Sequence, residues 1–260
     1  MGISIEAAHA ETQLPRTLVF GVLNQQSAIN TAERWNPLLR YLTAKTGIDL
    51  QLKMGPTVNI TDAMMGREEF DLVFSNHNFQ TEYDGKYRVL VSWAGKGAHC
   101  AIVVGEDSPA RSLKDLNGLV VAFPSPEAFL AYAVPMVALQ EANIKVTAKF
   151  AGSQDGALSQ LKSRQVHAAA INSRFLPPFL QRENIRVRTI YLSEAYRELP
   201  ILIHPRVSRK QAETLKQALL SLREDPQART MLQQTGIPGF ETARDHDYDN
   251  VRKVYRLIGE

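Results

Sequence analysis

"VVAFPSPEAFLAYAVPMVALQEANI", residues 120–144, decides the fold. It opens on an apolar run of strand length and continues with apolar residues at helical spacing. Between them sits one short turn, Phe123-Pro124-Ser125-Pro126-Glu127. The pattern predicts a helix over 126–142 with Ser125 as N-cap and Pro126 in the first turn. A strand passing into a helix through a tight turn is the repeating unit of an α/β sheet. A helix start is also a place to hold an anion, because free N–H groups and the positive end of the dipole meet there. The cap alone accounts for the turn: Ser125 would contribute about 0.5–2 kcal/mol and Glu127, beside the dipole, about 0.3–1 kcal/mol. An anionic ligand would meet Glu127 at a like-charge cost of about 4 kcal/mol at an effective dielectric of about 20. Ser125 and Glu127 therefore stand either as a cap or as part of a binding site.

Outward from this stretch the same unit repeats. Upstream, "TLVFGVL" (17–23) ends at Asn24-Gln25-Gln26, and "AINTAERWNPLLRYLTAKTG" carries Trp35, Leu38, Leu39 and Leu42 on one helical face before Gly47. "IDLQLKM", a short helix in "NITDAMMGREEF", and "DLVFSN" follow, then strand candidates "YRVLVSWAG" and "HCAIVVGED". Downstream lie strand "KVTAKF", helix "DGALSQLKSRQ", strand "VHAAAIN", a helix near 173–182 and strand "RVRTIYL". After "LPILIHPRV" come three more helical patterns. Two β-α series joined by extended segments near 98–105 and 199–206 predict two lobes with largely parallel sheets. The expected division is 14–98 plus 206–260 for one lobe and 99–205 for the other.

Composition narrows the function classes. The chain has 260 residues, 44% hydrophobic and 22% charged, which suits a soluble globular protein of one or two domains. A formal charge of +3 without any Lys/Arg run gives no nucleic-acid footprint. No apolar stretch approaches the roughly 18 residues of a membrane span. With Cys100 the single cysteine, an intrachain disulfide and a CxxC zinc site are both excluded. Ala8-His9-Ala10 has the small-residue pattern of a signal-peptidase site, so residues 1–13 are expected to be a signal-peptide remnant and leader. The expected location is periplasmic.

In open α/β sheets ligands sit at the carboxyl ends of strands. Those ends hold Asn24 and Gln25; Ser75, Asn76, His77 and Asn78; Ser125 and Glu127; and Asn172, Ser173 and Arg174, with Gln154 opening another helix. A cleft lined by amides and hydroxyls suits reversible binding. His77 fits either a ligand donor or a structural role. His99 and Cys100 read as core or hinge, and His204 as packed at the hinge. "ARDHDYDN" (243–250) is more economically a capped helix entry than a metal cluster. Trp35 reads as core, while Phe129, Tyr132 and Phe175 are candidates to line the cleft.

The order "GVLN…AINTAERWNPLLRYLTAKTGIDLQL", "FDLVFSNHNF", "FPSPEAF", "GSQDGALSQLKSRQVHAAAINS", "LPILIHPRV" resembles the phosphate/phosphite/phosphonate-binding family of ABC-transporter periplasmic substrate-binding proteins, over about 17–257. The resemblance implies a two-lobed type II fold hinged over a cleft that takes a small anion, and a membrane permease as partner. Three positions depart from the family pattern. Pro126-Glu127-Ala128 stands where phosphonate binders carry Ser-Thr-Ser, Gln154 where they carry a histidine, and Asn172 where they carry an acid. The expected function is capture of a small polar or anionic solute by a monomer, without cofactor or metal and without chemistry. No G-x-S-x-G, Walker A, G-x-G-x-x-G or H-E-x-x-H motif is present. The alternative is a sensory module for a membrane histidine kinase, with an enzyme on the same fold less expected.

Overall fold

The computed structural model describes residues 17–23, 28–80 and 82–259. The expected leader over 1–13 and the candidate pair Asn24 and Gln25 lie outside the described residues. The chain begins with β1 (Leu18–Val22), α1 (Ala28–Thr46), β2 (Leu50–Lys53), α2 (Val58–Gly66), β3 (Leu72–Phe74) and β4 (Arg88–Trp93). It continues with β5 (Cys100–Gly105), β6 (Val120–Phe123), α3 (Val134–Glu141), β7 (Thr147–Phe150), α4 (Gln154–Lys162), β8 (Ala168–Asn172), α5 (Leu176–Glu183) and β9 (Val187–Leu192). It ends with β10 (Pro200–Ile203), α6 (Arg209–Leu220), α7 (Pro226–Thr235), β11 (Phe240–Glu241) and α8 (Asp249–Ile258).

The strands form two sheets, one in the order β11-β4-β10-β3-β1-β2 and one in the order β7-β6-β8-β5-β9. The β-α-β units give parallel pairs: β1 with β2 and β3, and β6 with β7 and β8. The expectation of largely parallel sheets is corrected elsewhere. β10 runs antiparallel to β3 and β4, and β5 antiparallel to β8 and β9. Both strands are entered through an extended crossing, and without a crossover helix the chain has no means of returning parallel.

The crossings are residues 94–99 and 193–199, earlier in the chain than the spacing suggested, because Pro200–Ile203 is already paired inside the first sheet. Ala98 and Tyr196 join the two crossings by reciprocal backbone hydrogen bonds of 2.9 Å each. Gly97 has φ +81°, and a Cβ there would stand 2.7 Å from the Tyr196 carbonyl oxygen, so both conformation and space require glycine. His204 is corrected from a hinge role: it follows β10, and its Nε2 lies 2.8 Å from Glu68 Oε2.

Helix α1 forms because Trp35, Leu38, Leu39 and Leu42 fall on one face, all buried on the first sheet. Trp35 meets Phe20 and Phe74 there, with ring centroids 5.5 and 4.5 Å apart. Helices α6 and α7 pack against α1, while α8 packs against α3, which follows a strand of the second sheet. One core cluster consequently runs from Met65, Phe70 and Val73 through Phe129 to Cys100 and Val121, continuous across both sheets.

Candidate functional site

The expected helix at 126–142 begins later. Ala128 N–H donates to the Ser125 carbonyl at 3.3 Å, closing a turn with Pro126 and Glu127 as its middle residues. The helical path starts at Phe129 as a π turn, Phe129–Ala133, that runs into α3, and its N-cap is Ala128, without a side-chain cap bond. Ser125 is thus corrected from N-cap to turn residue: the Ala128-to-Ser125 bond closes a turn whose second position Pro126 fits as well as it would a first helical turn. Glu127 is left exposed at the turn. Capping does not account for its presence.

Across from this turn, residues 75–78 leave β3. Ser75 is buried, its N–H bonded to the Pro200 carbonyl at 3.1 Å, and Asn76 is half-buried. His77 is buried at φ +63° with Nε2 2.6 Å from the Arg197 carbonyl. A carbonyl only accepts, so Nε2 carries the proton. Burial lowers the His77 pKa to about 4, with the nearby Arg174 adding to the effect against the Arg197 hydrogen bond. Its ring meets Phe129 at 5.0 Å, and Phe129 also meets Tyr196 and Tyr255 at 5.0 and 5.3 Å. Of the two readings open for His77, its hydrogen bond and packing favour the structural one.

Asn78 Nδ2 donates to Asp62 Oδ1 at 3.2 Å. Burial raises the Asp62 pKa to about 6, and the charges of Glu127 and Glu82 push it further up against the Asn78 bond. Asp62 belongs to α2, under the first sheet, and Glu127 to the turn after β6 in the second. The charge of Glu127 thus acts on Asp62 from the other half of the molecule.

The remaining candidates form a separate chain of contacts. Gln154 Oε1 accepts from the Asn172 N–H at 3.0 Å, and Asn172 Oδ1 from the Arg174 N–H at 3.1 Å. Ser173 N–H reaches the His99 carbonyl at 2.9 Å. Arg174 Nη2 bonds the Gly97 carbonyl at 3.1 Å and pairs with the carboxylate of buried Glu198. Tyr248 Oη donates to the Glu198 carbonyl at 2.7 Å. Asn172, Ser173 and Arg174 thus tie β8 to both crossings, and the Arg174 charge is already matched.

Phe129 lines the contact between the halves, whereas Tyr132 packs on Phe123 and Phe150, and Phe175 is exposed. In the 243–250 stretch Asp247 accepts from the Arg244 N–H at 2.9 Å and Asp245 from the Val89 N–H at 3.1 Å, which fits a capped helix entry. Sequence reasoning missed Asp62, Glu82 and Glu198. A single acid on a short helix or in a loop carries no periodic signal, and only the fold brings these charges together. Two open grooves, of about 200 and 290 Å³, lie along α8 and contain none of the candidate residues.

The fold is shared with solved structures. XAC2383 from Xanthomonas citri, in a structure bound to ATP, superposes with a TM-score of 0.77 at 18% identity, covering 94% of this chain and 97% of that one. PhnD1 from Prochlorococcus marinus in complex with methylphosphonate gives 0.75 at 17% identity, over 95% and 99%. The periplasmic aliphatic sulphonate-binding protein SsuA from Escherichia coli gives 0.63 at 15%, over 95% and 92%. No curated protein matches the sequence. With two mixed sheets joined by two crossings and this likeness to solved binding proteins, the architecture is a type II periplasmic-binding-protein fold. The family description "ABC transporter, phosphonate, periplasmic substrate-binding protein" matches residues 20–248, and the chain belongs to that family.

Proposed function

We propose that this substrate-binding protein delivers to its permease a small polar solute carrying a protonated amine or another hydrogen-bond donor, and that simple phosphonate dianions are poor ligands. The observation that carries the proposal is that the charge of Glu127, in one half of the molecule, adds to burial in raising the pKa of Asp62 in the other. A dianion placed between them would add repulsion, whereas a cationic group would be attracted to both carboxylates. The three departures from the family pattern agree: no hydroxyl run at the turn, Gln154 engaged with Asn172, and Arg174 engaged with Glu198. The binding surface comprises Asn78, Asp62 and the Ser125–Glu127 turn, between lobes made of 17–93 with 200–259 and of 100–192. The protein acts as a monomer and binds without turnover, since these side chains present no nucleophile with a base in reach.

A thermal-shift screen of solutes, preceded by native mass spectrometry of freshly purified protein, tests this. A ligand at a hundred times its dissociation constant raises stability by about 2.7 kcal/mol, which such a screen reads easily. Amine-bearing solutes are expected among the hits and methylphosphonate is not. Multiple-turnover conversion of any hit, or a hit list made only of dianions, would contradict the proposal.

A further inference from the structure

A groove of about 200 Å³ opens between α3, α8 and the second crossing, and none of the cleft candidates lines it. One water molecule needs roughly 10–15 Å³, so the groove has room for a solute of several heavy atoms. Its charged groups are Glu141, the last residue of α3, Glu194 in the crossing and Lys253 in α8, all exposed. Among the described residues none of the three forms an ion pair, so the groove carries one net negative charge. The Asn250 amide donates from Nδ2 to Glu194 Oε1 at 3.3 Å, which holds that carboxylate against α8. Glu141 lies at the negative end of α3, where a cation is favoured. Tyr196 lines the groove at 5% exposure, and its hydroxyl has no hydrogen-bond partner among the described residues. Burial raises the pKa of Tyr196 and of its groove neighbour Tyr191, and the charges of Glu194 and Glu141 add to it in both. The two hydroxyls and two carboxylates therefore share one locality. Val134, Val137 and Val254, all buried, form its apolar floor.

We propose that this groove binds a small alkylammonium monocation, whose N–H groups donate to the Glu141 and Glu194 carboxylates and to the Tyr196 hydroxyl oxygen. One positive charge balances the groove's one negative charge, and an ammonium offers three donors in a compact head. Hydrogen bonds from a cation to a carboxylate are about twice as strong as neutral ones. The alkyl part lies on the three valines, which a bare metal ion would leave uncovered. Such an occupant touches α3, the second crossing and α8 at once. The site does not depend on the reading of Asp62 and Glu127, which line neither wall.

The test is a titration of n-butylammonium chloride into the intact ¹⁵N-labelled protein, with n-butanol and sodium chloride as controls. The backbone amide signals of Glu194, Asn250 and Lys253 are expected to move saturably with the ammonium and with neither control. Changing Glu141→Gln and Glu194→Gln together, at two exposed positions, should weaken that response by about tenfold or more, the equivalent of about 1.4 kcal/mol. Asp62→Asn should leave the groove response unchanged, so a failure of the cleft reading would leave this result standing. Groove amides that do not move overturn the proposal. So does an equal response to butanol, an undiminished response in the Glu141/Glu194 variant, or a response lost in Asp62→Asn.

Discussion

Asp62 and His77 titrate in opposite senses, and that gives the site a pH signature. Asp62 has a folded pKa of about 6, above the ordinary value for aspartate, so the stability it contributes is fully present below about pH 4 and is lost as pH rises through about 6. His77 has a folded pKa of about 4, below the ordinary value for histidine, so its contribution is present above about pH 6.5 and is lost as pH falls through about 4. The two partly cancel between these limits. Asp62→Asn should therefore stabilise the protein at pH 7 by about 1 kcal/mol, after allowance for solvent screening. It should also leave a steeper loss of stability on acidification, as read by urea unfolding across pH. No gain at pH 7 would show that Asp62 is not under strain from its neighbours. Neither residue's titration was legible in the sequence. His77 could be placed at a strand end, but its burial against Phe129 depends on the other half of the molecule.

The elements themselves were largely legible. Trp35, Leu38, Leu39 and Leu42 gave α1 by period, and the strands emerged as apolar runs between turn residues. The misplaced boundaries have local causes. Pro126 fits the second position of a turn as well as a first helical turn, and only the Ala128-to-Ser125 hydrogen bond separates the two. The crossings shifted because an apolar run such as "PILI" does not declare which sheet it joins. Gly97, in contrast, marks the first crossing by conformation. Gly97→Ala should destabilise by more than about 1 kcal/mol, since alanine meets both a positive φ and the Tyr196 carbonyl. A melting temperature unchanged from that of the parent protein would contradict this account of the crossing.

At the scale of the whole molecule, the Arg174–Glu198 pair fastens the second sheet to both crossings. Glu198 is buried, and removing its cation leaves a carboxylate without compensation. Arg174→Met should cost about 3 kcal/mol. Adding Glu198→Gln should recover much of that loss, a coupling that a double-mutant cycle measures. Additive losses would mean that the two side chains act separately. The fold was legible as a family resemblance carried by the order of short motifs, and the family match bears this out. The ligand class was not legible in the same way, because it depends on charges brought together from α2 and the turn after β6.

Calorimetric titration of methylphosphonate into the unmodified protein and into Glu127→Ser tests that central claim most directly. The predicted result is no measurable heat of binding for the unmodified protein and a measurable affinity for the variant. The variant's melting temperature should be nearly unchanged, because Glu127 is exposed and lies outside the helix. Binding of methylphosphonate by the unmodified protein at a micromolar Kd or tighter, about −8 kcal/mol, would contradict the account.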